Sequence, residues 1–282
     1  LGSHQDSSLR EVGDGTSESS DHMLRWWPVI AVFDSGLGGL GVLRAMTGAF
    51  QDEVVVYAAD RANAPYGTRT LQEVRDLTHR HARRLIEEGA TTIVLACNTA
   101  SAAALETLRQ EYPATTFVGM EPALKPAAMA TKTNTVAVIA TAATFQGRLF
   151  ASLMDRFAEG LEVLTAAAPQ WVELVEVGEV AGVDARAAVT RQLAPLLDQG
   201  ADTFVLGCTH FTFLSDVIAQ VIGDESTLID PAPAVARRAR DVHVDSGATP
   251  LLRALVSGDA SQFEELSKTV AGISFPDGVL PL

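Results

Sequence analysis

Ile93-Val-Leu-Ala-Cys97-Asn-Thr99 and Phe204-Val-Leu-Gly-Cys208-Thr-His210 are two versions of one pattern: an apolar run, a small residue, then a cysteine followed by polar residues. The cysteines stand 111 residues apart, and Ile30-Ala-Val-Phe-Asp34 is echoed by Val136-Ala-Val-Ile-Ala140 at a separation of 106. Apolar runs of this length without polar alternation are strands buried on both faces, as in a parallel sheet covered by helices. Their repetition predicts two related α/β halves. Ligands of such sheets bind beyond the carboxyl ends of the strands, where both cysteines fall. If the halves face each other about a pseudo-twofold axis, each contributes one thiol to a shared cleft.

The rest of the chain supports this reading. Strands are predicted at Val29–Phe33, Val54–Tyr57, Thr92–Ala96, Thr135–Ile139 and Thr203–Leu206, with helical patterns between them. Leu71, Val74, Leu77 and Leu85 recur at helical spacing and Gly89 supplies the stop. Asp184 is expected to cap a later helix that runs to Gly200.

Composition narrows the function classes. The 282 residues are 47% hydrophobic and 20% charged, enough to build a substantial core. A formal charge of −14 argues against a nucleic-acid partner, which needs clustered Lys and Arg. Two cysteines cannot form a secreted disulfide framework, and they lack the spacing of a zinc ribbon. No apolar run reaches the length of a membrane span and no signal peptide is evident, so a cytoplasmic protein without membrane contact is expected. Residues 1–23 read as a disordered, vector-derived leader, opening Leu-Gly-Ser-His and ending at His22-Met23. The first 22 residues carry −4 of the charge and leave −10 on the rest.

At the strand ends, a thiol next to a helix N-terminus is favoured as the thiolate. One lone cysteine there is more often a small buried hydrophobe. Both cysteines of the chain at equivalent ends of a repeat suit proton removal from one face of a carbon and delivery to the other. Gly36-Leu-Gly38-Gly39 lacks the residues of a phosphate loop, yet its glycines let backbone N–H groups approach an anion. Asp34 reads as a helix cap or as a group that orients a proton. Asp60 and Pro65-Tyr66-Gly67 read as a turn. Glu176, by default, is a solvated carboxylate. Cys97, Cys208 and His210 make too few ligands for structural zinc, and no metal or cofactor is expected.

In order along the chain, Phe33-Asp34-Ser35-Gly36-Leu-Gly38-Gly39-Leu40, Asp60 with Pro65-Tyr66-Gly67, Ala96-Cys97-Asn98-Thr99-Ala100-Ser101, Glu121-Pro122, Leu174-Val175-Glu176, Gly207-Cys208-Thr209-His210 and Ile229-Asp230 resemble the cofactor-independent glutamate racemases of the aspartate/glutamate racemase superfamily. The match spans about Ile30 to about Arg238. The resemblance implies two flavodoxin-like lobes, residues 24–121 plus 231–282 and residues 122–230, with the active site between them. It implies that Cys208 deprotonates the L-isomer and Cys97 the D-isomer. Asp34-Ser35, Tyr66-Gly67, Asn98-Thr99 and Thr209-His210 match the substrate-binding pairs. Asp34 and His210 match residues thought to assist proton transfer, and Glu176 aligns with a nearby carboxylate. Two departures, Gly41 for a frequent Ser and Glu173 for a frequent Pro, bear on fine positioning. A homodimer with glutamate as substrate, supplying D-glutamate for peptidoglycan, is also implied. The rival readings are a racemase of aspartate or a hydantoin, and a non-catalytic amino-acid-binding protein on the same scaffold.

Overall fold

The computed structural model describes residues 29–282; the leader expected at 1–23 lies outside them. The first stretch runs through β1 (Val29–Asp34), α1 (Leu40–Met46), β2 (Val54–Ala59), α2 (Leu71–Glu87), β3 (Ala90–Leu95), α3 (Asn98–Glu111) and β4 (Thr116–Gly119). The middle holds α4 (Leu124–Ala130), β5 (Thr135–Ala140), α5 (Ala142–Gln146), α6 (Arg148–Phe157), β6 (Glu162–Ala167), α7 (Pro169–Glu176), α8 (Gly182–Asp198), β7 (Thr203–Gly207), α9 (Ser215–Ile222) and β8 (Thr227–Ile229). The chain then returns through α10 (Ala232–Val242), β9 (Leu251–Val256), α11 (Ala260–Ala271) and β10 (Val279–Pro281).

Two parallel sheets result, one ordered β10-β9-β2-β1-β3-β4 and the other β6-β5-β7-β8. The first is sandwiched because its strands are apolar on both faces. Ile30, Val32, Val55 and Tyr57 pack under residues of α1, α10 and α11, while Ala31, Phe33, Val56 and Leu95 pack under α2 and α3. In the second sheet Ala137, Ile139, Phe204 and Leu206 lie against α7, α8 and α9, and Val136, Val138 and Val205 against α4 and α6. The expected two-sheet α/β architecture is present.

Local signals set the helix ends. Thr70 and Glu73 form a capping box at the start of α2, and Gly89 leaves that helix with φ of 97°. The cap expected from Asp184 is not made. Ala181 occupies the cap position of α8 without a side-chain bond, and Asp184 sits inside the first turn, where its charge favours the helix dipole.

Candidate active site

Four strand ends converge. β1 ends at Asp34 with Ser35 next, and Cys97, Thr141 and Cys208 stand just beyond the ends of β3, β5 and β7. Ser35, Tyr66, Gly67, Cys97, Asn98, Thr99, Thr141, Glu176, Cys208, Thr209 and His210 are among the residues around one cavity of about 360 Å³ between the sheets. That is room for a small amino acid.

Cys97 caps α3. Its Sγ accepts the Ala100 N–H at 3.4 Å and lies 3.8 Å from Ser35 Oγ. Burial, followed by the charge of Asp34, pushes the thiol up to about 12 in spite of these contacts. Asn98 and Thr99 follow in the first turn of the helix. Both amide atoms of buried Asn98 lack a partner among the described residues. A buried amide without a partner is costly unless a ligand satisfies it.

Cys208 is held differently. No α-helix follows it directly; the residues Thr209–Leu214 form a 3₁₀ turn, and Cys208 makes no side-chain cap bond. The helix-terminus setting expected for both thiols therefore holds for Cys97 alone. The turn is fixed by packing, because Phe211 meets Trp171 of α7 edge-on with ring centres 4.9 Å apart. It swings His210 back so that Nδ1 stands 3.8 Å from Cys208 Sγ, while Nε2 lies 2.7 Å from Glu176 Oε1. Burial alone would lower the imidazole, but the contacts with Cys208 and Glu176 outweigh it and hold His210 well above its ordinary value.

Glu176 is not the solvated carboxylate its sequence context suggests. Beyond His210, it accepts the Leu37 N–H at 2.7 Å and lies 3.3 Å from Arg61 Nε. Burial works against its charge, yet these partners, His210 foremost, keep its carboxyl below the ordinary range. Asp34 sits behind the cavity wall, fully buried, with Oδ1 accepting the Gly36 N–H at 2.7 Å and Oδ2 the Thr209 hydroxyl at 3.1 Å. Burial raises its pKa.

These bonds explain the glycines. The anions met by the Gly36-Leu37 amides are the protein's own carboxylates, Asp34 and Glu176. A Cβ on Gly36 would stand 2.0 Å from Glu176 Oε1, and one on Gly38 would stand 2.4 Å from Thr209 Oγ1. The turn therefore brings the lobes together as well as linking β1 to α1.

Asp60 anchors the second wall. It is fully buried and accepts bonds from the Tyr66 hydroxyl and Ser257 Oγ, each at 2.7 Å, and from Asn63 Nδ2 at 3.0 Å. These partners, with His81, overcome burial and hold its carboxyl well below the ordinary range. Gly67 faces Thr141 so closely that a Cβ would lie 2.6 Å from Thr141 Cγ2. Glu121-Pro122 and Ile229-Asp230 are not brought to the cavity. They lie where the chain crosses between sheets, and Asp230 Oδ1 accepts the Ala232 N–H at the start of α10.

Thr141, Arg61 and Arg69 were not picked out by motif. Thr141 had a usable signal, since the echo that pairs Asp34 with Ala140 pairs Ser35 with Thr141. Its hydroxyl lies 2.9 Å from those of Thr99 and Thr144, a hydroxyl chain across the lobes. Arg61 and Arg69 had no signal beyond flanking the Pro-Tyr-Gly turn.

Two α/β lobes set one thiol each against a single cavity. Residues 40–239 match the Asp/Glu/Hydantoin racemase family, and the chain belongs to it. It is 46% identical over 209 residues to a glutamate racemase of Pseudomonas aeruginosa, covering 74% of this chain and 79% of that protein. A glutamate racemase of Roseiflexus is 42% identical over 247 residues, covering 84% of this chain and 90% of its own. Among solved structures, Escherichia coli glutamate racemase, in complex with L-glutamate and an activator, superposes with a TM-score of 0.79 at 29% identity over 91% of this chain and 98% of that one.

Proposed function

We propose that this enzyme interconverts L- and D-glutamate by moving a proton at the α-carbon, with Cys97 and Cys208 as the two acid/base groups. The observation that carries the reading is the pair of thiols at equivalent strand ends around one cavity, in a chain belonging to a racemase family. One cysteine, as thiolate, takes the α-hydrogen as a proton and leaves the electron pair on carbon. The other, as thiol, returns a proton to the opposite face. The bond broken and the bond formed are both C–H, no electrons are gained or lost, and the two cysteines exchange protonation states.

The difficulty is the weak acidity of the α-hydrogen. A dry site with fixed donors lowers the cost of the carbanion-like state by stabilising charge on the substrate carboxylate. The unpartnered Asn98 amide and the hydroxyls of Thr99 and Thr141 supply such donors. Tyr66-Gly67 and Ser35 complete the binding walls. His210, bonded to Glu176 and facing Cys208, is placed to move a proton to and from that thiol, with Asp34 behind Cys97. D-Glutamate so formed supplies peptidoglycan synthesis, and the reading takes the enzyme as a cytoplasmic homodimer. None of the described helices is long and apolar enough to cross a membrane.

Deuterium appearing at the α-carbon of glutamate in heavy water, with no added cofactor, is the deciding measurement. It is followed alongside circular dichroism of L-glutamate and L-aspartate. Glutamate that binds but neither exchanges nor racemises overturns the proposal, and faster turnover of aspartate moves it to the sister substrate.

A further inference from the structure

An enzyme with a formal charge of −14 repels a dicarboxylate at long range, so something at the cleft must reverse the field locally. Besides the two cysteines and Tyr66, four of the residues around the cavity are ionisable: Arg69, Glu173, Glu176 and His210. His210 and Glu176 are bonded to each other at 2.7 Å, and Arg61, outside the cavity lining, pairs with the same carboxylate at 3.3 Å, so these charges are spent on one another. That leaves Arg69, from the first lobe, and Glu173, from α7 of the second. Arg69 directly follows the Tyr66-Gly67 turn. Its Nε donates to the Asn63 carbonyl at 2.7 Å, which fixes one edge of the guanidinium. Neither terminal nitrogen has a protein partner among the described residues, so the fork is left for a ligand. Glu173 is exposed and borders a second cavity that shares Ala64, Pro65 and Glu176 with the first.

We propose that Arg69 is the residue that captures the substrate's anionic end at the mouth of the cleft, with Glu173 opposing it. The proposal rests on the glutamate reading above and adds to it a source of attraction. A guanidinium suits a carboxylate because its planar fork matches two oxygens, and a partly exposed site suits capture because the charge still reaches solvent. Backbone amides and hydroxyls alone would hold the substrate once inside but would draw it in only weakly.

The test compares Arg69→Gln, Arg69→Lys and Glu173→Gln in the full chain, with kcat and KM for both glutamate enantiomers at about 10 mM and about 300 mM salt, on either side of a Debye length near 10 Å. Arg69→Gln is expected to raise KM about five- to tenfold at low salt with little change in kcat, the difference shrinking at high salt. Arg69→Lys restores most of the loss, and Glu173→Gln lowers KM by about twofold. Calorimetric binding of glutarate and of butyrate reads the same contact without turnover; only glutarate binding should weaken in Arg69→Gln. An unchanged KM in Arg69→Gln, or a rise equal at both salts that Arg69→Lys does not repair, overturns the proposal and leaves Arg69 as a tether for Asn63. If Arg69→Gln fails to fold, Glu173→Lys decides: a KM that does not fall at low salt overturns the proposal. Failure of the unmodified enzyme to racemise glutamate would count against the function alone, since the glutarate comparison still decides Arg69.

Discussion

The two thiols hold equivalent places in a repeated strand-and-turn unit, and different chemistry surrounds them. Cys97 belongs to a helix: it caps α3, accepts an amide hydrogen, and has a serine hydroxyl and a buried aspartate for neighbours. Cys208 belongs to a relay: the turn after it carries an imidazole, the imidazole a glutamate, and the glutamate an arginine from the other lobe. A repeat preserves the backbone geometry that points a side chain into a cleft. It does not preserve how that side chain is charged, because the charge depends on residues outside the repeated segment.

The largest test of this comparison removes the thiols one at a time. In the proposed reaction each face of the α-carbon has one base, so Cys97→Ala and Cys208→Ala are each expected to lower racemisation by at least about 10³-fold. A coupled assay for each enantiomer checks this. Full turnover in either variant would break the two-thiol mechanism, whatever the geometry.

The neighbours sharpen it next. His210→Asn takes the proton partner from Cys208 and is expected to lower kcat by about 10²-fold, while Ser35→Ala leaves Cys97 its Ala100 N–H and costs only a few-fold. Equal losses would mean that the two sides are supported alike. Gly36→Ala follows, with an added carbon 2.0 Å from Glu176 Oε1 that pushes this carboxylate off its Leu37 and His210 partners across the lobes. Overpacking of this kind costs about 1–3 kcal/mol, readable as a lowered melting temperature together with lost activity. An unchanged melting temperature would show that the loop gives way without disturbing the lobes.

Legibility in the sequence followed the same division. Five of the six inner strands were readable because both faces of a parallel sheet demand unbroken apolar runs, as in Val54–Ala59. β6, at the edge of its sheet, has three exposed residues among its six, and β9 is interrupted by Arg253, so neither carries that signal. In and behind the cavity wall, residues fixed by their own strand end were readable: the thiols, Asp34-Ser35 and Asn98-Thr99. Glu176 looked solvated because its partners Leu37, Arg61 and His210 come from three distant segments. The 3₁₀ turn after Cys208 was hidden for a related reason, since the contact of Phe211 with Trp171 is tertiary. Local pattern locates a strand end; it does not carry the partners that set the charge there.

The smallest effect tests the far end of the relay. Arg61 reaches Glu176 from the loop after β2 and is steadied by Gln262 of α11, its Nη1 donating to Gln262 Oε1 at 3.3 Å. The groups facing Glu176 are His210, Arg61, the Leu37 N–H and, more distantly, Asp34 and Tyr57. Burial favours the neutral acid, so every cation that departs lets Glu176 take a proton at higher pH. A carboxyl held below its ordinary value contributes stability that is present above that value and is lost as pH falls through the folded one. Arg61→Gln should therefore move the acid limb of kcat/KM, and the acid limb of stability, toward higher pH. At neutral pH the cost should be small, because His210 and the Leu37 N–H still hold the carboxylate. Arg61→Lys should restore the limb, whereas a purely structural role would lower the melting temperature at all pH values alike. If the limb does not move, the relay ends at Glu176, and the asymmetry between the two thiols is confined to the lobe that carries Cys208.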